Sequence, residues 1–285
     1  MKIPPELTPP YALVHPPAHY ARVPGVEPRG AHPALSVAAL EWSPEFGAIG
    51  RSLERLDARL GALAGVDLAL LPELCLTGYV SPALRWDLTA FAEDLAGPTS
   101  TRLAQLAVKH RLHLAAPLVE RCGKRVFNTL LLFGPDGRRL GHWRKRHPWL
   151  PERWASPGDL GTPVVELQGV KVTACVCYDV HFISREAGEA LDTAELLLFP
   201  SCWVEPEPDE DLRAELLPAL ARRHHLWVLN ANWGVSLPRV PGQGRSMAVA
   251  PDGAIERRLT LARDPPTEAP ALVVQIPGAG ARLPR

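Results

Sequence analysis

The chain has 285 residues, 46% of them apolar, enough to bury a large core in one or two domains. Basic and acidic residues balance at 31 each, which argues against a nucleic-acid or acidic-membrane partner. No apolar run approaches the roughly 20 residues of a membrane span. Met1-Lys2-Ile3-Pro4-Pro5 lacks the apolar stretch of a secretory leader, so none is expected.

Residues 1–33 contain nine prolines and read as an extended arm. No Pro/Gly-rich linker follows, so residues 34–285 are taken as one domain. Leu35–Trp42 is an apolar strand candidate. Residues 49–63 place Leu53, Leu56, Leu60 and Leu63 on one helical face. Val66–Leu71 reads as a buried strand ending at Pro72-Glu73. A helix over 99–110 turns Leu103, Leu106 and Ala107 inward after a polar start at Thr99-Ser100. A strand follows at 112–119.

Two hairpins share the turn Pro-Asp-Gly. One pairs 127–133 with 139–145, the other 246–250 with 255–259. Between them the pattern gives a strand at 170–176, a helix at 184–191, a strand at 196–199, a helix at 211–224 and a strand at 227–230. Residues 273–276 form the last strand, and no internal repeat is apparent beyond the shared turn. Strands buried on both faces, interleaved with helices and hairpins, predict an α/β mixed-sheet sandwich with helices outside.

Three positions stand out chemically. Cys177 lies in Val-Cys-Tyr-Asp-Val-His-Phe, after an apolar run and before a helical one. Glu73 sits after Leu-Leu-Pro and before Leu-Cys-Leu, an apolar setting in which an unpaired charge would be costly and a partner is expected. Only five of the 31 basic residues are lysine, yet Lys145 stands between Arg144 and Arg146. A compact, titratable ammonium there suggests a task that guanidinium does not perform; a basic hairpin end in water is the alternative. A thiol, a carboxylate and an ammonium supply a nucleophile, an acid/base and a charge stabiliser for acyl transfer.

Other signals are weaker. Five cysteines, at 75, 122, 175, 177 and 202, show no paired spacing, which favours free thiols in a reducing, cytoplasmic setting. Cys175, Cys177 and His181 are not followed by a second ligand pair at zinc spacing, so no metal is expected. Gly244-Arg245-Ser246 echoes a serine nucleophile elbow, but a strand and turn follow it where a helix is required. His224-His225 is expected to close a helix, where imidazolium suits the dipole. Trp143, Trp149, Trp154 and Trp203 either line a pocket or pack the core.

Taken in order, the segments resemble the nitrilase superfamily of carbon–nitrogen hydrolases over nearly all of residues 35–276. The matching pieces are Leu71-Pro72-Glu73-Leu74, Leu76-Thr77-Gly78-Tyr79, Gly97-Pro98, Phe127-Asn128, Trp143-Arg144-Lys145 and Pro157-Gly158-Asp159. Cys177-Tyr178-Asp179, Phe199-Pro200-Ser201 before Trp203, Ala231-Asn232, and Gly244 with Ser246 complete the set. The resemblance implies a four-layer αββα sandwich of two mixed sheets and a Glu-Lys-Cys triad at Glu73, Lys145 and Cys177. It implies that the backbone N–H of Tyr178 assists Lys145 at the developing oxyanion, and that Glu152 orients Lys145 or the substrate. It further implies a small amide as substrate, no metal or organic cofactor, and a homodimer or larger assembly.

Departures qualify the subclass. Where the family usually carries an arginine, an aromatic and Pro-Glu after Cys-Tyr-Asp, this chain has His181, Phe182, Ile183 and Ser184. Ser184 can serve as a helix N-cap. The usual Arg-Ala-x-Glu-Asn is replaced by Leu220-Ala221-Arg222-Arg223-His224, and Pro117 stands where glycine is common. Cys-Tyr-Asp resembles the amide- and carbamoyl-cleaving branches, whereas Glu152-Arg153 after Lys145 has nitrilase spacing, and Pro148-Trp149 is similar to aliphatic amidases. An amidase is expected; a nitrilase, an N-carbamoyl hydrolase and a binding or regulatory member without turnover are the alternatives.

Overall fold

The computed structural model describes residues 34–205, 211–236, 241–260 and 270–277; the proline-rich arm read at 1–33 lies outside them. Twelve strands form two mixed six-stranded sheets. The first contains β1 (Leu35–Leu40), β2 (Leu68–Leu70), β3 (His113–Cys122), β4 (Arg125–Phe133), β5 (Arg139–Arg144) and β12 (Ala271–Ile276), in the order β12-β1-β2-β3-β4-β5. The second contains β6 (Val165–Leu167), β7 (Val170–Ala174), β8 (Leu196–Ser201), β9 (Trp227–Asn232), β10 (Met247–Val249) and β11 (Ile255–Arg258), in the order β11-β10-β9-β8-β7-β6.

Side-chain alternation explains why the sheets stack. Leu35, Val37, Leu68, Leu70, Leu130 and Leu132 face the second sheet and share a core with Val172, Leu197, Leu229 and Met247. Their neighbours Leu40, Ala69, Leu71, Leu131 and Phe133 point the other way. There they meet α1 (Ile49–Gly61) and α2 (Pro98–His110) through Leu53, Leu56, Leu60, Leu103 and Leu106. Strands buried on both faces lose the apolar–polar alternation of a half-exposed sheet, which is why they read as continuous apolar runs. The second sheet is covered by α3 (Ile183–Glu186), α4 (Gly188–Thr193) and α5 (Arg213–His224), which complete the αββα sandwich.

Several expectations are corrected. The single helix at 184–191 is two, because Ala187 at φ −142° breaks it before Gly188. Ser184 is inside α3, not its cap; Phe182 holds that position. The chain also contains β6, paired with β7 across Gln168-Gly169, both at positive φ. The expectation of no repeat fails at the level of topology. β1–β5 and β7–β11 follow the same course: two parallel neighbours reached through helices, then two antiparallel ones. β12 adds antiparallel to β1 as β6 does to β7. No described helix is long and apolar enough to cross a membrane.

Candidate active site

Glu73 follows β2, where Leu71 still pairs with β3 through Leu71 N–H to Ala115 O at 2.9 Å, and the chain turns at Leu74, φ 49°. Lys145 follows β5. Its N–H donates to Asn128 O on β4, and its carbonyl accepts from the Gly158 N–H, both at 2.8 Å. Gly158 is needed for that return, since a Cβ there would lie 2.3 Å from Arg144 O. The loop between folds through Glu152 N–H to Trp149 O and Ala155 N–H to Glu152 O, which directs the Glu152 carboxylate inward.

These side chains form one buried cluster, each 1% exposed. Lys145 Nζ donates to Glu73 Oε1 at 2.7 Å and to Glu152 Oε1 at 2.9 Å. Asn128 Nδ2 bridges the same carboxylates at 2.7 and 3.0 Å. Glu73 Oε2 accepts the Cys202 N–H at 2.9 Å, and Glu152 Oε2 accepts the Trp149 N–H at 2.9 Å. Burial alone would discharge the ammonium, but Glu152 and Glu73 outweigh it and hold the Lys145 pKa well above its ordinary value. One cation between two carboxylates leaves a net negative charge in a low-dielectric site. Glu152 takes up the excess: burial, opposed by Lys145 and reinforced by Glu73, pushes its pKa up to about 7.

Cys177 begins a 3₁₀ turn directly after the extended Val176, and sits at φ 46°. A non-glycine residue in that region costs roughly 1–3 kcal/mol and persists only when its surroundings enforce it. Asp179 does so: its N–H donates to Val176 O, and its carboxylate accepts the backbone N–H groups of Arg146 at 3.1 Å and His147 at 2.8 Å. Asp179 therefore ties the thiol's turn to the segment that carries Lys145. Burial first, and then the Glu73 charge, push the Cys177 pKa well above the ordinary thiol range, while Lys145 opposes them.

Cys177 lines a cavity with Trp149, Tyr178, His181, Cys202, Trp203 and Val204. Thus Trp149 and Trp203 are wall residues. Trp143 packs between the sheets with Nε1 on Pro163 O at 2.9 Å, and Trp154 joins a satellite cluster around Tyr79 and Trp233. Of the residues the sequence reading grouped, Glu73, Lys145 and Glu152 share hydrogen bonds, and Cys177 and Tyr178 line one cavity. That reading assigned no task to Asn128, Asp179 or Cys202, which hold the cluster together. Asn128 and Asp179 stood in the matched motifs; nothing in the sequence signalled Cys202. No described group of three or more His, Cys, Asp or Glu side chains is arranged to hold a metal ion.

The two departures at Ser184 and His224 touch each other. Ser184 Oγ lies 2.6 Å from His224 Nε2, and His224 Nδ1 lies 2.6 Å from Asp192 Oδ1. None of the three lines the cavity. His224 ends α5 as expected, but burial lowers its pKa, so it is a neutral bridge between helices and not the expected imidazolium.

Residues 48–263 match the family described as Carbon-nitrogen hydrolase. The Pseudomonas protegens protein called "Hydrolase in pqqF 5'region" is 30% identical over 250 residues, covering 86% of this chain and 85% of that one. A Pyrococcus abyssi nitrilase is 32% identical over 144 residues, covering 50% of this chain and 54% of its own. Among solved structures, a cysteine-to-alanine variant of the Nesterenkonia AN1 amidase from the nitrilase superfamily superposes with a TM-score of 0.73 at 25% identity, covering 90% of this chain and 95% of that one. Another form of that amidase carries the acetamide moiety of fluoroacetamide on its active-site cysteine, with a TM-score of 0.73 and 25% identity over 90% of this chain and 94% of that one. The chain belongs to the carbon–nitrogen hydrolase family.

Proposed function

We infer that the protein hydrolyses a primary carboxamide to a carboxylate and ammonia through a thioester on Cys177. The observation that carries this reading is the buried Lys145 Nζ, 2.7 Å from Glu73, beside a thiol that feels both charges and opens on a cavity. Glu73 takes the thiol proton as sulfur attacks the carbonyl carbon. Lys145 and the Tyr178 N–H stabilise the oxyanion, a contribution of roughly 3–4 kcal/mol for a good donor. Glu73 then passes the proton to the leaving nitrogen, and ammonia departs. Water enters, Glu73 removes its proton, and attack on the thioester releases the carboxylic acid and restores the thiol. Lys145 enters the reaction charged because Glu152 and Glu73 outweigh its burial, and Glu152 keeps it aimed.

The covalent acetamide adduct on the Nesterenkonia amidase supports attack by the cysteine at this place in the fold. The test is ammonia release from a panel of primary amides. At least one amide should turn over, and Cys177→Ala should lower its kcat by roughly 10⁴-fold or more with the melting curve preserved. Unchanged turnover in that variant removes Cys177 as nucleophile. Carbon dioxide released with ammonia from N-carbamoyl compounds, and no amide hydrolysis, would replace this reading with a carbamoyl hydrolase.

A further inference from the structure

Trp203 is fixed on every side. Its N–H donates to Asn232 Oδ1 at 3.0 Å, its carbonyl accepts from Trp233 Nε1 at 3.1 Å, and its indole Nε1 donates to Glu205 Oε1 at 2.7 Å. Glu205 is fully buried, and the same oxygen accepts the Leu212 N–H at 2.9 Å. Swinging the indole away would strip a buried carboxylate of a donor, which is costly. The Phe199 ring meets the indole edge-on at 6.2 Å. Gly242, at φ +95°, packs so tightly on the Trp203 carbonyl that a Cβ would lie 2.6 Å from it.

Trp149, also in the wall, is held by its N–H on Glu152 and by a stack on Tyr79, with ring centres 6.2 Å apart. With Cys177, Tyr178, His181, Cys202 and Val204, these two indoles line a half-open pocket whose enclosed space is ≈ 30 Å³. One water needs about 10–15 Å³ of such space, so about two or three groups of that size fit. A carbon under attack already brings its oxygen and nitrogen. What is left beside it suits a hydrogen or a methyl group.

We propose that Trp203, held by the positioning residue Glu205, sets the acyl length of the substrate and restricts it to formyl or acetyl size. This rests on the amide-hydrolase reading above. A pocket that admits one methylene too few discriminates by roughly 10–200-fold per methylene. In the wild type, kcat/KM should therefore fall at least ~10-fold from acetamide to butyramide. Trp203→Ala should raise the butyramide-to-acetamide ratio by ~10-fold or more. Glu205→Leu should move the ratio the same way by less, since the indole stays but loses its anchor. Glu205→Gln keeps an acceptor for Nε1 and should restore the wild-type ratio.

A merely structural Trp203 would lower all amides in parallel and leave the ratio alone, and that result overturns the proposal. A flat chain-length profile in the wild type overturns it too, even where variants do not fold. Alkylation of Cys177 by 2-chloroacetamide and 2-chlorobutyramide, each rate divided by that of a free thiol to remove the slower displacement at a secondary carbon, provides a readout that does not require turnover. Alkylation that is steep in length, with no ammonia from any amide, would uphold the length restriction and refute the amidase reading. Ammonia release with alkylation rates independent of length would do the reverse.

Discussion

In the first sheet β1–β2–β3 run parallel and β4–β5 fold back; in the second, β7–β8–β9 and β10–β11 repeat that course. Even the segments correspond: Leu71-Pro72-Glu73 leaves β2 as Phe199-Pro200-Ser201 ends β8. The chemistry at the two ends differs. The first half carries ions against ions: Glu73, Lys145 and Glu152 in one cluster, with Glu120, Arg144 and Asp159 in another. The second half is held mostly by neutral groups. Ser201 Oγ donates to Asn232 Oδ1, Asn230 Nδ2 to Ser201 Oγ, and Asn232 Nδ2 to Gly242 and Gly244 carbonyls. Arg213, paired with Asp211 and buried against Asn230 Oδ1 and Gly244 O, and the buried Asp179 and Glu205 carboxylates are the charged exceptions. One half therefore supplies the groups proposed to move protons and hold charge. The other presents the thiol, the Cys202 N–H and the Trp203 wall on a scaffold built largely of neutral hydrogen bonds.

The contrast predicts that charge deletions in the first half outweigh polar deletions in the second. Lys145→Met leaves two buried carboxylates facing one another. Turnover should fall by roughly 10³-fold, and urea unfolding should show a loss of about 3–5 kcal/mol, the range for breaking a buried ion pair. A loss below 1 kcal/mol would mean that the cluster is not electrostatically tensioned.

Glu120 comes next. Burial pushes its pKa up, but hydrogen bonds from His142, Arg144 and Thr129 outweigh that and pull it from 4.5 to about 2. A depressed carboxylate stabilises the fold fully above its unfolded value and loses that contribution as the proton returns. The loss should therefore run from pH 4.5 down to about 2 and total about 3 kcal/mol. Urea midpoints measured across that window should fall more steeply for the wild type than for Glu120→Gln, which keeps the acid-sensitive contributions of Asp57, Asp87 and Asp159. Parallel curves would show that this strut, which holds Arg144 one residue before Lys145, carries no charge-dependent load.

The smallest effect belongs to the second half. Ser184→Ala removes one hydrogen bond to a neutral histidine and should cost about 1 kcal/mol by the same unfolding measurement. A cost above 3 kcal/mol would erase the distinction between the halves.

How much of this was readable beforehand depends on the range of the interaction. Apolar runs, the Pro-Asp-Gly turns and the helical face of Leu53, Leu56 and Leu60 are local, and they gave most elements. The cluster residues were found through their place in ordered motifs, since a glutamate 72 positions from its lysine has no local signature. The Ser184–His224 contact spans 40 positions, so two departures that look independent in sequence are one contact in space. The left-handed Cys177 was invisible for the same reason: it is enforced by Asp179 reaching across to Arg146 and His147, 33 and 32 positions away. The repeated topology was missed because its sequence trace is confined to short pieces at turns and strand ends.

One pairing has a temporal consequence. β1 lies between β2 and β12, with Leu35 opposite Ile276 and Leu40 opposite Ala271. During synthesis β1 emerges early, yet one of its edges stays open until the whole second sheet has been made. An unpaired apolar strand edge is an invitation to associate with other chains. A chain that has not yet made β12 thus exposes an apolar strand edge that the folded protein covers.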